Sequence, residues 1–119
     1  MAGGKLDGAG VAKLEVLESA LEDVQRLHGI VERMAIAVRM QQPTAPFVSQ
    51  FKRATTPLVG LLRGQFAPIA DHVSGMLLAS SRGGGEQTRL RVLREGVAQL
   101  RQQLEVTAAR VREKHKTQE

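Results

Sequence analysis

Apolar residues recur every three or four positions through most of this chain, and the spacing is cleanest in its last third. Leu90, Leu93, Val97, Leu100, Leu104, Thr107 and Val111 step by 3, 4, 3, 4, 3 and 4. Side chains at that spacing share one face of an α-helix, and a sustained repeat of this kind marks helices that lie side by side. Leu14, Leu17, Leu21, Val24, His28, Val31, Ala35 and Val38 repeat the pattern in a proline-free stretch from about residue 10 to residue 40. This predicts a long amphipathic first helix. Gly29, inside it, costs about 1 kcal/mol relative to Ala and marks a site of close packing or local weakness.

Between these two segments the pattern slips. Phe47, Phe51, Ala54, Leu58 and Leu61 hold one face, whereas Phe66, Ile69, Val73 and Met76 hold a face one residue out of phase. Pro57, Gly60, Gly64 and Pro68 fall in or around the slip, and a proline inside a helix costs about 3 kcal/mol unless the helix bends or restarts. A kinked or interrupted second helix over about residues 46–80 is expected. At its start, Pro43 ends the first helix, Thr44 stands at the N-cap and Pro46 falls in the first turn, where its missing N–H costs nothing. Thr56 and Pro57 read equally as a fresh cap and restart.

Gly83, Gly84 and Gly85 end the second helix, because three successive glycines lose too much backbone entropy to stay helical. The third then runs from about Glu86 to about Lys114, with Glu86 near its start and Arg110, Arg112 and Lys114 near its end suiting the helix dipole. The three segments, of roughly 44 to 52 Å each at 1.5 Å per residue, are matched in length and joined by short connections. The expected fold is therefore all-α: an antiparallel three-helix bundle with a kinked or interrupted second helix, open to oligomerisation. Residues 1–10 are expected as a flexible tail, 11–114 as the bundle domain and 115–119 as a frayed end.

The predicted core consists of Leu14, Leu17, Leu21, Val24, Val31, Phe47, Phe51, Leu58, Phe66, Ile69, Val73, Leu90, Leu93, Val97, Leu100, Leu104 and Val111. That leaves a surplus. The first helix carries a second apolar set, Val16, Ala20, Leu27, Ile30, Met34 and Ala37, and is apolar nearly all round over its last turns. Either this surplus thickens the core of a monomer, or it meets a partner, since large exposed apolar patches mark interaction sites. Ile30, Met34, Ile36, Val38 and Met40 are the candidate interface.

Composition narrows the chemistry. The chain has 119 residues, 42% of them hydrophobic and 24% charged, which is the make-up of one globular domain. It has no Cys, which removes disulfides, thiolate catalysis and cysteine-ligated zinc and fits a reducing compartment. No apolar run follows Lys5, position 2 is Ala where myristoylation needs Gly, and the apolar stretch Met34 to Met40 is far shorter than the roughly 20 residues that span a bilayer. An intracellular protein, cytoplasmic or nuclear and not membrane-inserted, is expected.

The net charge of +5 is unevenly placed: residues 1–40 carry −1, residues 41–82 carry +3 and residues 83–119 carry +3. Arg89, Arg91, Arg94, Arg101, Arg110, Arg112 and Lys114 of the third helix are the candidate contacts for an anion or nucleic acid. With no aromatic platform, helix-turn-helix or zinc finger, only sequence-independent backbone binding fits them. The ordinary alternative is a solvated face laced with weak pairs such as Arg91 with Glu95 and Arg101 with Glu105.

Catalytic groups are sparse. Asp71 and His72 are adjacent and diverge by about 100° on a helix, which suits neither a triad nor a metal pair. His28 is expected as a half-buried imidazole on the first seam. Gly83–Gly85 is followed by Glu86, Gln87 and Thr88, with no Lys-Ser or Lys-Thr pair to make a phosphate loop. The chain therefore reads as a non-catalytic helical protein–protein interaction module, a subunit or scaffold of an assembly, with no cofactor, metal or small-molecule substrate. The alternative reading is a basic accessory protein that binds nucleic acid without sequence specificity through the third helix.

Overall fold

The computed structural model describes residues 6–116, which form four helices: α1 (Gly8–Arg39), α2 (Ala45–Arg63), α3 (Ala67–Ser80) and α4 (Glu86–Lys114). The all-helical expectation holds, but the count of three does not. The segment expected as one interrupted helix is two. Helix α2 runs straight through Pro57, where the hydroxyls of Thr55 and Thr56 donate to the carbonyls of Phe51 and Lys52, each at 2.8 Å, just ahead of the ring. The chain breaks later, at Gly64–Phe66. Phe66 leaves the helical region (φ −133°, ψ 55°) to stand at the N-cap of α3, and Pro68 falls in that helix's first turn. The restart therefore belongs to Pro68 and not to Thr56–Pro57.

Each helix packs on two neighbours: α1 on α2 and α4, and α3 on α2 and α4. The result is a four-helix ring in up-down-up-down order. Contacts of Arg94 with Glu32, Arg101 with Gln25 and His115 with Asp7 run in opposite directions along α1 and α4, so these two helices are antiparallel. Helices α2 and α3 form a hairpin held at its turn by Arg63, which bonds Asp71 at 2.6 Å. At 1.5 Å per residue, α1 and α4 reach about 48 and 44 Å against about 29 and 21 Å for α2 and α3. The long pair therefore projects past the hairpin, giving a body of 59 × 25 × 17 Å.

The predicted seam of α4 is buried as read, with Thr107 half-buried at its edge. Gly96 joins it, lying under Met76 and accepting a 2.9 Å hydrogen bond from His72 Nε2. On α1 the phase differs. The buried residues are Leu14, Leu17, Ala20, Val24, Leu27, Ile30, Val31, Met34 and Ala37, whereas Leu21, Ala35 and Val38 are half-buried and His28 is exposed. The physical reason is that α1 faces two helices, so its buried stripe is wider and rotated toward α2. The apparent surplus set is largely core. The face of α2 is likewise turned by one residue, to Phe51, Thr55, Leu58 and Leu62, leaving Leu61 exposed and Phe47 half-buried.

Helix α1 ends in a paired cap. The Gln41 N–H bonds Val38 O at 3.1 Å and the Gln42 N–H bonds Ala37 O at 2.8 Å, with Gln41 at φ 56°. This is the Schellman arrangement, which turns the chain toward Pro43 and α2. Thr44 stands at the N-cap of α2 as expected, but its side chain makes no capping bond. Between α3 and α4 the glycine loop forms, with Gly84 and Gly85 at φ 114° and 93°, a region that L side chains rarely adopt.

Candidate functional site

The five apolar residues proposed for contact separate into two groups. Ile30 and Met34 lie in the core, covered by the chain itself. Ile36 and Met40 are 46% and 61% exposed, and Val38 is half-buried against the core. Along the edge between α1 and α4, Ala35, Ile36 and Val38 line a groove of about 380 Å³ together with Leu90 of α4. Its rim is polar: Glu32 and Arg39 from α1, Gln87 and Arg94 from α4. Arg94 spans the groove and bonds both carboxylate oxygens of Glu32 at 3.2 Å. Both partners are about half exposed, so the pair contributes at most about 1 kcal/mol and leaves the groove adaptable.

The basic residues of α4 do not converge. At about 100° per residue, Arg94, Arg101 and Arg112 share the edge beside α1, Arg91 and Arg110 point outward in two other directions, and Arg89 and Lys114 lie toward α3. Arg94 is held by Glu32, Arg101 by Gln25 at 2.8 Å, and Arg89 by the carbonyl of Arg82 at 2.8 Å. The structure therefore spreads these cations around the helix and ties several of them down.

No known protein family, curated protein or solved structure matches this chain.

At the opposite end, residues expected as loose tails are tied together where they are described. Leu6 pairs with Lys116 in an isolated antiparallel bridge, and the Asp7 N–H bonds His115 O at 3.1 Å. The Asp7 side chain caps α1 by accepting from the Gly10 N–H at 2.7 Å, and it also lies 3.2 Å from His115 Nδ1. That backbone bond is the main reason the Asp7 carboxyl is held below its ordinary value of 3.8, with His115 and Lys13 adding to it against partial desolvation. Lys13 Nζ donates to His115 Nε2 at 3.1 Å, so Nδ1 carries the proton and points at Asp7. Position 10 must be glycine for this clasp, because a Cβ there would come within 2.6 Å of the His115 Cβ. Residues 1–5 and 117–119 of the two expected tails lie outside the described residues.

Asp71 and His72 point apart, Asp71 to Arg63 and His72 to Gly96. Among the described residues no three His, Cys, Asp or Glu side chains gather as a metal site, and no helix is long and apolar enough to cross a membrane. The groove and the clasp both depend on pairs far apart in sequence, such as Ala35 with Leu90 and Asp7 with His115. Periodicity within one helix gives no signal for such pairs.

Proposed function

We propose that this chain is a non-catalytic interaction module that holds a protein partner by packing one of the partner's helices against the loop end of α1 and α4. The observation that carries this reading is the exposure of Ile36 and Met40 beside a groove floored by Ala35, Val38 and Leu90. Apolar surface that the chain's own four helices leave uncovered gains by contact with another apolar face, at roughly 25 cal/mol per Å² removed from water. The polar rim of Glu32, Arg39, Gln87 and Arg94 supplies register and a bias toward an amphipathic helix with charges of both signs. Nucleic-acid binding through α4 draws less support, because its cations face several directions and Arg89, Arg94 and Arg101 are held by Arg82, Glu32 and Gln25.

The double variant Ile36→Asp/Met40→Asp tests this. Both residues are exposed, so the variant should fold as the wild type does. In quantitative affinity purification from the native cells it should lose a stoichiometric protein that the wild-type chain retains. Equal recovery by the two chains would contradict the proposal. So would retention of nucleic acid alone, released with a steep dependence on salt.

A further inference from the structure

The outer face of α1 carries a pattern of its own. Val11, Glu15, Glu18, Glu22, Gln25, Gly29, Arg33, Ile36 and Met40 fall within an arc of roughly 80° and run the length of the helix. All are exposed except Gly29, which is half-buried. The stripe is ordered by charge. Its N-terminal half holds Glu15, Glu18 and Glu22, its C-terminal half holds one cation, Arg33, with Arg26 at its edge paired to Asp23 at 2.9 Å, and apolar residues stand at both ends. Neither Glu18, Glu22 nor Arg33 forms an ion pair within the described residues.

At Gly29 and Arg33 the stripe borders a basic cleft between α1 and α2. Arg26, Gly29 and Arg33 of α1 face Gln50 and Arg53 of α2 across a groove of about 630 Å³, and no acidic residue lines it. The charge of residues 1–40, −1 in total, conceals this concentration because Asp7, Glu15, Glu18, Glu22 and Asp23 precede it and Glu32 sits on the α4 side of the helix, bonded to Arg94.

We propose that the partner face for this stripe is the same stripe on a second copy of the chain, with the two α1 helices antiparallel about a two-fold axis near Gln25 and Arg26. This shares Ile36 and Met40 with the interaction reading above and rests on it. In that register Val11 meets Met40, Glu15 lies across Ile36, Glu18 meets Arg33, and Glu22 enters the space over Gly29 between Arg26 and Arg33. Each contact occurs twice, as an isologous interface requires. The missing side chain at Gly29 leaves room for the incoming carboxylate, the nearest heavy atom to a Cβ there being Arg33 Nη1 at 3.5 Å. A parallel pairing would set glutamate on glutamate and arginine on arginine, so charge selects the antiparallel one. The stripe from residue 11 to residue 40 is about 44 Å long, enough for an extended helix-on-helix contact.

Sedimentation equilibrium of the full chain tests the proposal, using wild type, Glu18→Arg, Arg33→Glu and the double exchange, with circular dichroism to confirm that each is folded. Wild type should be a reversible dimer that weakens between about 50 mM and about 500 mM salt, because exposed charge pairs are screened. Each single reversal should weaken dimerisation about tenfold, since it places two like-charge contacts in the interface, and the exchange should restore it to within about threefold of wild type. A wild type that stays monomeric at every concentration would overturn the pairing, as would a dimer indifferent to the reversals or an exchange no better than the single variants. If that monomer still retained a protein through Ile36 and Met40, the dimer proposal alone would fall; loss of both results would remove the interaction reading as well.

Discussion

Met34→Asp should abolish cooperative folding, whereas Ile36→Asp, two residues further on, should leave stability within about 0.5 kcal/mol of wild type. Met34 is 1% exposed and Ile36 46%, so the same substitution meets two opposite environments on one turn of α1. At position 34 it removes core packing worth about 2–5 kcal/mol and desolvates a carboxyl besides. A domain of this size has only about 5–15 kcal/mol of net stability. Far-UV circular dichroism and urea unfolding of the two variants decide the matter. A cooperative transition for Met34→Asp near that of wild type would mean that the wide buried stripe of α1 is misplaced.

Phe51→Ala should cost about 3–5 kcal/mol, the usual penalty for deleting a fully enclosed aromatic ring. Phe51 is completely buried on α2, while Phe47, one turn earlier, is half-buried at the edge of the core. The ring is buried on a helix that packs against both α1 and α3, so the size of the loss measures how firmly α2 belongs to the core. Phe47→Ala, read by the same urea midpoint, should cost distinctly less. Equal and small losses, under about 1 kcal/mol, would place α2 at the periphery and argue against a four-helix ring.

What the residue pattern revealed depends on how many neighbours each helix has. Helix α4 was legible nearly residue by residue, since its long seam from Leu90 to Val111 is fixed by one unbroken repeat. Helix α1 was legible as a helix but not in phase. Leu17, Val24 and Val31 fit two alternative stripes, one continuing through Leu21, His28 and Ala35, the other through Ala20, Leu27 and Met34. Only packing against both α2 and α4 selects the second. The slip between Leu61 and Phe66 announced a break, yet Pro57, Gly60, Gly64 and Pro68 competed to mark it, and spacing alone does not say that α2 continues through Pro57 while the chain restarts at Pro68. Of the candidate site, Ile36 and Met40 were legible as apolar surplus, while Ile30 and Met34 belonged to the interior.

In the proposed assembly, a face of α1 that is open in the isolated chain is covered on association. Because the chain has no cysteine, single cysteines at positions 34, 36 and 78 report it directly through their rates of thiol labelling. The account predicts that Met34→Cys is protected at all concentrations and that Ile36→Cys reacts freely when dilute and becomes protected as association proceeds. Leu78→Cys, on the exposed side of α3, should react freely throughout. Constant reactivity at position 36 over the whole range of concentration and partner would contradict it.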